Sequence, residues 1–239
     1  MSPGHGVIWN RPERAARGPA PSLSRQQIAR AAVTLADTSG IEAVSMRTLA
    51  GELGVGATSL YRYVDRRDEL IELMVDAVMG NDLHFEIRGD WRLDLRSFAH
   101  GLRTMILHHP WMAVPSAGLR NFGPNTARKY EQVLGLVDGL GLEIDEMLLM
   151  VETIDAYVRG RALEELSEQE AVRRSGLDQE QWMQTQVPYI ESLIASGRYP
   201  ILTRVVFDAQ APHDPDRLEH GFDLGLDRVL AGLATMLPA

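Results

Sequence analysis

The sequence predicts an all-α fold, a small N-terminal three-helix domain of helix-turn-helix geometry followed by a larger helical bundle, and three observations carry that prediction. Apolar residues recur at three- and four-residue spacing through most of the chain beyond Leu23, the interval that lines one face of an α-helix. Proline and glycine interrupt those stretches at Pro110, Pro124, Gly139, Gly141, Gly176 and between Pro200 and Pro215, where a missing N–H or a missing Cβ favours a break. No alternation of apolar and polar residues persists long enough to write a strand. The run ILTRVVF within 198–210 has strand propensity, but Pro200 and the absence of a pairing segment assign it to a loop or short helix. No fixed-period internal repeat is present.

Taken in order, residues 1–22 hold four Pro, three Gly and the arginines Arg11, Arg14 and Arg17, with too few apolar residues for an amphipathic element, and are expected to form a disordered basic arm. From Leu23 the pattern turns helical. Ser24 is placed to cap a helix whose buried face is Ile28, Ala31, Ala32, Leu35 and Ala36, and Gly40 ends it. Ser45 caps a second, short helix with Met46, Leu49, Ala50 and Leu53 inward, before Gly54 supplies the left-handed backbone of a tight turn. A third helix turns Leu60 and Val64 inward. Asp65 is the expected cap of a fourth, with Glu69 near its start and Leu70, Leu73, Met74, Ala77 and Val78 along its buried side. Gly80-Asn81-Asp82 marks a break, so the first domain is expected at 23–80. After a linker at 81–92, further helices are expected at about 93–109, 124–139, 144–168, 178–196 and 215–237, which places the second domain at 93–237.

Composition bounds the chemistry. The chain has 239 residues, 45% hydrophobic and 24% charged, the profile of an ordinary globular protein. With no cysteine, disulfides, thiolate metal sites and cysteine nucleophiles are excluded together, and a reducing cytoplasm is the expected location. The first residues lack the charged start and apolar run of a secretory signal. The longest apolar patch, Met147–Val151, falls far short of the roughly 18–20 residues that span a bilayer, so no membrane partner is expected. The net charge of −9 argues at first against nucleic acid, whose phosphates ask for a basic footprint. Its distribution answers the objection: residues 1–80 balance nine Arg against nine acids, and the whole excess of acid lies beyond them. Within 22–67 six Arg face four acids, and screening over about 8–10 Å lets that patch act apart from a distant acidic domain.

The segment SMRTLAGELGVGATSLYRYVDRRDEL, residues 45–70, sets two short helices around Gly54 at the separation of a DNA-binding helix-turn-helix. Leu49, Ala50, Leu53, Val55 and Leu60 pack the two together, and the small Ala50 permits close approach of their backbones. The opposite side of the second helix shows Thr58, Ser59, Tyr61, Arg62 and Tyr63. These are short hydroxyls, rings and a guanidinium suited to base edges and phosphates, in place of the Glu/Lys mixture of an ordinary solvated face. An all-α interaction module that never meets DNA would have to carry this pattern by accident.

The pattern S-x-R-x-L-A-x-x-L-G-V, then T-x-L-Y-x-Y-V, then a basic pair and an acidic residue before leucine, resembles the TetR family of transcriptional regulators across about 23–78. Beyond it, HHPWMAV at 108–114 and FDLGLDRVLAGL at 222–233 are similar to the C-terminal ligand-binding and dimerisation domain of regulators near the tetracycline repressor. The resemblance implies that Arg47 holds a base edge or phosphate, that Ala57, Thr58 and Ser59 open the recognition helix, and that Tyr61, Tyr63 and Arg67 grip the backbone, with Arg62 and Arg66 beside them. The family often has Lys at the position of Arg67, and Ala57 offers only apolar contact where some relatives hydrogen-bond, so the operator sequence does not carry over. The N-terminal arm is expected either as a solvated tail or as a segment following a minor groove.

A regulator needs an input, and the second domain offers a candidate lining for a small-molecule pocket. His108, His109, Trp111, Met112, Phe122 and Tyr130, with Met150, Thr153, Tyr157, Trp182 and Tyr189 further along, mix apolar bulk with a few polar tips. Trp111, Met150, Thr153 and Tyr157 are favoured because relatives line their pockets from the corresponding helices. No metal or other cofactor is expected: His108 and His109 diverge on a helix, and His213 and His220 lack carboxylates in a ligand pattern. No G-x-S-x-G, P-loop, dinucleotide fingerprint or H-E-x-x-H occurs, so an enzyme is not expected. The last helix carries Leu218, Phe222, Gly225, Leu226, Val229, Leu233 and Met236 along one stripe, and the resemblance implies that it pairs with a second copy across a two-fold axis. The expectation is a homodimer on a palindromic double-stranded operator, a repressor released by a small-molecule effector, with activation as the alternative.

Overall fold

The computed structural model describes residues 7–11, 23–113, 122–177, 179–210, 214 and 216–238, and among them it is helical without a strand. In chain order the helices are α1 (Arg25–Ser39), α2 (Met46–Glu52), α3 (Ala57–Leu60), α4 (Arg67–Asn81), α5 (Trp91–His108), α6 (Pro124–Leu134), α7 (Ile144–Ser175), α8 (Gln179–Ala195), α9 (Pro200–Asp208) and α10 (Arg217–Leu233). They divide into two compact units, residues 1–159 with 236–239, and residues 160–235. The division does not follow the expected linker at 81–92. The three-helix head, α4, α5, α6 and the first half of α7 make one unit.

Local chemistry sets the elements of that first unit. Ser24 Oγ accepts from Gln27 N at 3.1 Å while Gln27 Oε1 accepts from Ser24 N at 2.8 Å, a reciprocal cap of α1 that contributes about 1 kcal/mol. Ser45 Oγ accepts from Thr48 N at 3.1 Å and starts α2, and Gly54, at φ 64°, makes the turn into α3 in a conformation L side chains rarely adopt. Ile28, Ala32, Leu49, Leu60, Val64, Leu70 and Met74 are fully buried and close the head around one core. Asp65 does not cap α4 as its sequence position suggests. The cap residue is Arg66, and it is Glu69, buried on the first turn, that reaches back to accept from Asp65 N at 2.8 Å.

The expected disordered arm is corrected at residues 7–11. Ile8–Asn10 form one 3-10 turn, and Ile8 is 1% exposed within the core of the head. Arg25 Nη1 donates to the carbonyls of Ile8 and Arg11 at 3.1 and 2.9 Å, and Arg11 forms ion pairs with Asp65 and Glu69. One buried isoleucine is worth about 1.5–3 kcal/mol, enough to hold so short a segment, and no periodicity announces it. Residues 1–6 and 12–22, with Arg14 and Arg17, lie outside the described residues.

Asp90 caps α5 by accepting from Arg92 N and Leu93 N at 2.9 and 3.0 Å, and buried Asp94 accepts from Arg88 N and Gly89 N at 2.7 and 3.0 Å, which folds the linker back onto the helix. Expected ends shift in two places. α6 stops at Leu134, where Gly135 begins a run of tight turns instead of continuing to 139. α7 runs past 168 to Ser175, because no breaker precedes Gly176 and Glu170 pairs with Arg173 and Arg174 one turn on.

The second unit comprises α7 from Gly160 onward, α8, α9 and α10. The segment 200–208 is a short helix with Pro200 at its first position, where the absent N–H costs nothing. Phe222, Leu226, Leu230 and Leu233 form the buried stripe of α10, and Arg217 pairs with Glu168 of α7. Large apolar side chains stand in solvent along α8 and α9, with Ile201 73% and Phe207 70% exposed.

Candidate nucleic-acid interface and effector cavity

The reading head presents one face built by α2 and α3. Leu49 and Leu60 anchor the two helices from inside, and a tightened turn, Tyr63 N to Leu60 O at 2.9 Å and Val64 N to Leu60 O at 3.1 Å, ends α3 with Val64 buried. Arg47, Thr58, Tyr61 and Arg62 are exposed together on the outer side, with Tyr61 at 51%, and Ser59 is half-buried between them. Among the described residues neither Arg47 nor Arg62 has a carboxylate at ion-pair distance, so both guanidinium groups are available to phosphates or base edges. Ala57 and Tyr63 are half-buried and pack against the core of the head.

Arg67, expected to grip the DNA backbone, is exposed on the first turn of α4 and also bonds within the head. Its Nε donates to the carbonyl of Val44 at 3.2 Å and its Nη2 to that of Ile41 at 2.8 Å, with Glu42 at 3.9 Å. The guanidinium ties the α1–α2 connection to the first turn of α4, a use that sequence spacing does not show because the partners are backbone oxygens.

Behind the head, within the same compact unit, lies a cavity of about 410 Å³. α4 contributes Val75 and Met79 to it, and α5 contributes Phe98 and Leu102. α6 turns Thr126, Lys129, Tyr130 and Val133 inward, and α7 adds Val151, Glu152, Asp155 and Arg159. Leu83, Met112 and Phe122 complete the wall, and the rings of Phe122 and Tyr130 meet edge to face with centroids 6.2 Å apart. Arg159 Nε donates to Asp155 at 2.7 Å and its Nη1 to the carbonyl of Met112 at 2.8 Å. Burial, with Arg128 adding to it, pushes the Lys129 ammonium below the usual lysine range.

Of the expected lining residues, Met112, Phe122 and Tyr130 face this cavity and the others do not. His108 is exposed at the end of α5. Trp111 points its Nε1 at Asp37. Met150 is fully buried core, and Thr153 returns its hydroxyl to the carbonyl of Leu149 at 2.7 Å on its own helix. Tyr157 is half-buried on α7 outside the lining, and Trp182 borders a separate hollow of about 280 Å³ in the second unit. Sequence reasoning missed Thr126, Lys129 and Val133 of the α6 face and the row Val151, Glu152, Asp155 and Arg159. The available signal was their helical spacing, which an ordinary core face shares.

Two polar clusters join head and cavity. Asp76 of α4 is 3% exposed, and its Oδ1 accepts from Asn125 N and Thr126 N at 2.9 and 2.8 Å, while Oδ2 accepts from Asn125 Nδ2 at 3.0 Å. A carboxylate from one helix thus caps the N-terminus of another, α6, where free N–H groups and the helix dipole favour negative charge. Gly123 makes room for it: a Cβ there would stand 2.2 Å from Asp76 Oδ1 and 2.6 Å from Trp9 Cζ2. In the second cluster, buried His109 sets Nδ1 2.9 Å from Asp37 Oδ1 of α1, the same oxygen that accepts from Trp111 Nε1 at 2.8 Å, and Nε2 3.5 Å from Asp82 Oδ2 at the end of α4. Among the described residues no group of three His, Asp or Glu side chains is arranged to hold a metal ion, and no helix is long and apolar enough to cross a membrane.

Comparison with known proteins agrees with this architecture. Residues 28–74 match the family model "Bacterial regulatory proteins, tetR family", and residues 86–237 match "Tetracyclin repressor-like, C-terminal domain". The chain is 37% identical over 233 residues to the HTH-type transcriptional repressor DrrR1 of Streptomyces coeruleorubidus, covering 97% of this chain and 84% of that one. It is 32% identical over 234 residues to an HTH-type transcriptional regulator of Saccharopolyspora erythraea, covering 96% and 92%. Among solved structures, the TetR family protein ActR of Streptomyces coelicolor in complex with actinorhodin superposes with a TM-score of 0.74 at 28% identity, over 90% of this chain and 97% of that one. The match of both halves in sequence and of the fold as a whole places this chain in the tetR family of bacterial regulatory proteins.

Proposed function

We propose that the protein is a ligand-released transcriptional repressor that binds a palindromic operator as a homodimer in the cytoplasm and catalyses no reaction. The observation that carries this reading is the joining of its two halves within one compact unit: the helix that follows the recognition helix, α4, both walls the cavity through Val75 and Met79 and caps α6 through Asp76. A molecule entering the cavity must touch the helix that carries the reading head. An effector acts only by preferring one conformation, and here it has a direct path to the spacing of two recognition helices, which a dimer must hold at about 34–36 Å to read successive major grooves.

The effector is taken as a small molecule because the cavity walls are apolar and aromatic with a few polar groups, and because the related ActR was solved with actinorhodin. Dimerisation is supported by the apolar side chains left in solvent on the second unit, Leu163, Leu224, Ile201 and Phe207 among them, a surface that asks for a partner. Two linked half-sites also compensate for so short a recognition helix. Light scattering on the purified protein tests the assembly: the expected mass is twice 26.6 kDa, and a monomer at micromolar concentration would contradict it.

A further inference from the structure

We infer that Lys129 selects the effector, and that the effector class is a planar aromatic molecule bearing an acidic oxygen, a carboxylate or ionised phenol, which the ammonium receives. The inference rests on the reading of the cavity as an effector site. Three observations lead to it. First, among the described residues Lys129 is the cavity cation that has no carboxylate beside it. Arg159 is bound to Asp155 and to a main-chain carbonyl, and Glu152 has a partner of its own, whereas among the described residues no carboxylate reaches Lys129, whose charged neighbour is Arg128 and whose Nζ lies 5.4 Å from the centre of the Phe85 ring. Second, burial and that like charge both disfavour its protonated form, so the site supplies less solvation than an ammonium needs and an anionic oxygen would restore it. Third, the cavity brings aromatic surface to the same place: Tyr130 is the next residue along α6, Phe122 meets its ring edge to face, and Phe98 closes the wall from α5. Flat rings suit a flat body, since stacked and edge contacts add to simple burial. A cationic effector fits less well, because Asp155, an acid it would seek, is already paired with Arg159.

The test uses the full-length protein and two probes of one shape, anthracene-2-carboxylate and anthracene-2-carboxamide, titrated by fluorescence at fixed ionic strength. The acid is expected to bind about tenfold tighter than the amide, the gain of a charge-assisted hydrogen bond in a partly desolvated site. Lys129→Met and Lys129→Gln are expected to lose that preference while Lys129→Arg keeps it, with thermal melting confirming the fold of each variant. Equal affinity for the two probes, failure of both to bind, or an acid preference that survives Lys129→Met would overturn the inference. The wider reading fails separately: if the acid binds through Lys129 yet leaves affinity for DNA unchanged at saturation, the ligand class stands and the site's role in release does not.

Discussion

Replacing Asp76 by alanine removes the cap of α6 from the side of α4. The carboxylate accepts two main-chain N–H groups, at 2.9 and 2.8 Å, and one side-chain amide at 3.0 Å, in a site where the aspartate is 3% exposed. Loss of an N-cap costs about 0.5–2 kcal/mol, and leaving a buried donor unsatisfied costs about 1–3 kcal/mol. Water can enter part of the space that the side chain vacates, so the sum is held to about 2–4 kcal/mol of unfolding free energy. Urea unfolding followed by circular dichroism measures it, with the midpoint falling at unchanged slope. Asp76→Asn keeps one acceptor oxygen but loses the charge that the helix N-terminus favours, so it should fall between alanine and wild type. A loss below about 0.5 kcal/mol for the alanine variant would show that the carboxylate does not cap α6, because that is the scale of a surface change. The same variants are expected to respond less to effector at fixed DNA affinity, since α6 is then no longer tied to α4.

Ile8→Ala should cost about 2–4 kcal/mol although it lies in a segment that reads as a tail, because a fully buried isoleucine leaves a cavity when truncated. A melting temperature equal to wild type would show that the segment does not pack. Gly123→Ala should destabilise as well, the new methyl forcing Asp76 and Trp9 apart, and an unchanged melt would contradict the tight approach. His220, with Nδ1 2.6 Å from Asp214 Oδ2, is held above its ordinary 6.5 by the hydrogen bond and charge of Asp214, and Asp214 below its ordinary 3.8 by His220. For a raised histidine the pair's contribution is full below 6.5 and is lost as pH rises through the raised value; on the acid side it persists until pH falls through the lowered value of Asp214. NMR titration of the His220 ring is expected to give a midpoint above 6.5 that drops in Asp214→Asn, and a midpoint that does not move would remove the pair.

What the sequence revealed and what it concealed follow from the range of each interaction. Ser24, Gly40, Ser45 and Gly54 act on backbone within a few residues of themselves, so they are legible as punctuation, and the density of such signals between 23 and 70 made the reading head the clearest part of the chain. Arg67 is legible as a basic residue beside the recognition helix, but its bonds to the carbonyls of Ile41 and Val44 are not, because these come to it only when α1, α2 and α4 have packed. The anchoring of Ile8 left no trace in periodicity, being one apolar side chain between glycine, proline and arginine. In the cavity, residue type misled: Trp111 and His108 look like ligand contacts, yet Asp37 draws the tryptophan aside and the helix end turns the histidine outward. Lys129 looks like a solvated helical charge, and only the arrangement of α4, α5 and α7 around α6 turns it inward.

On the function proposed above, α2 and α3 read a two-fold DNA site. The test is selection from a random duplex pool by the full-length protein, run beside Arg47→Ala and Tyr61→Ala, whose side chains stand exposed on the outer face of the head and, among the described residues, make no ion pair or hydrogen bond. The account predicts enrichment of an inverted repeat with half-site centres about one DNA turn apart, bound with salt-dependent affinity, and its loss in both variants with the fold retained. Enrichment of no sequence, or of the same repeat equally by wild type and both variants, would contradict it.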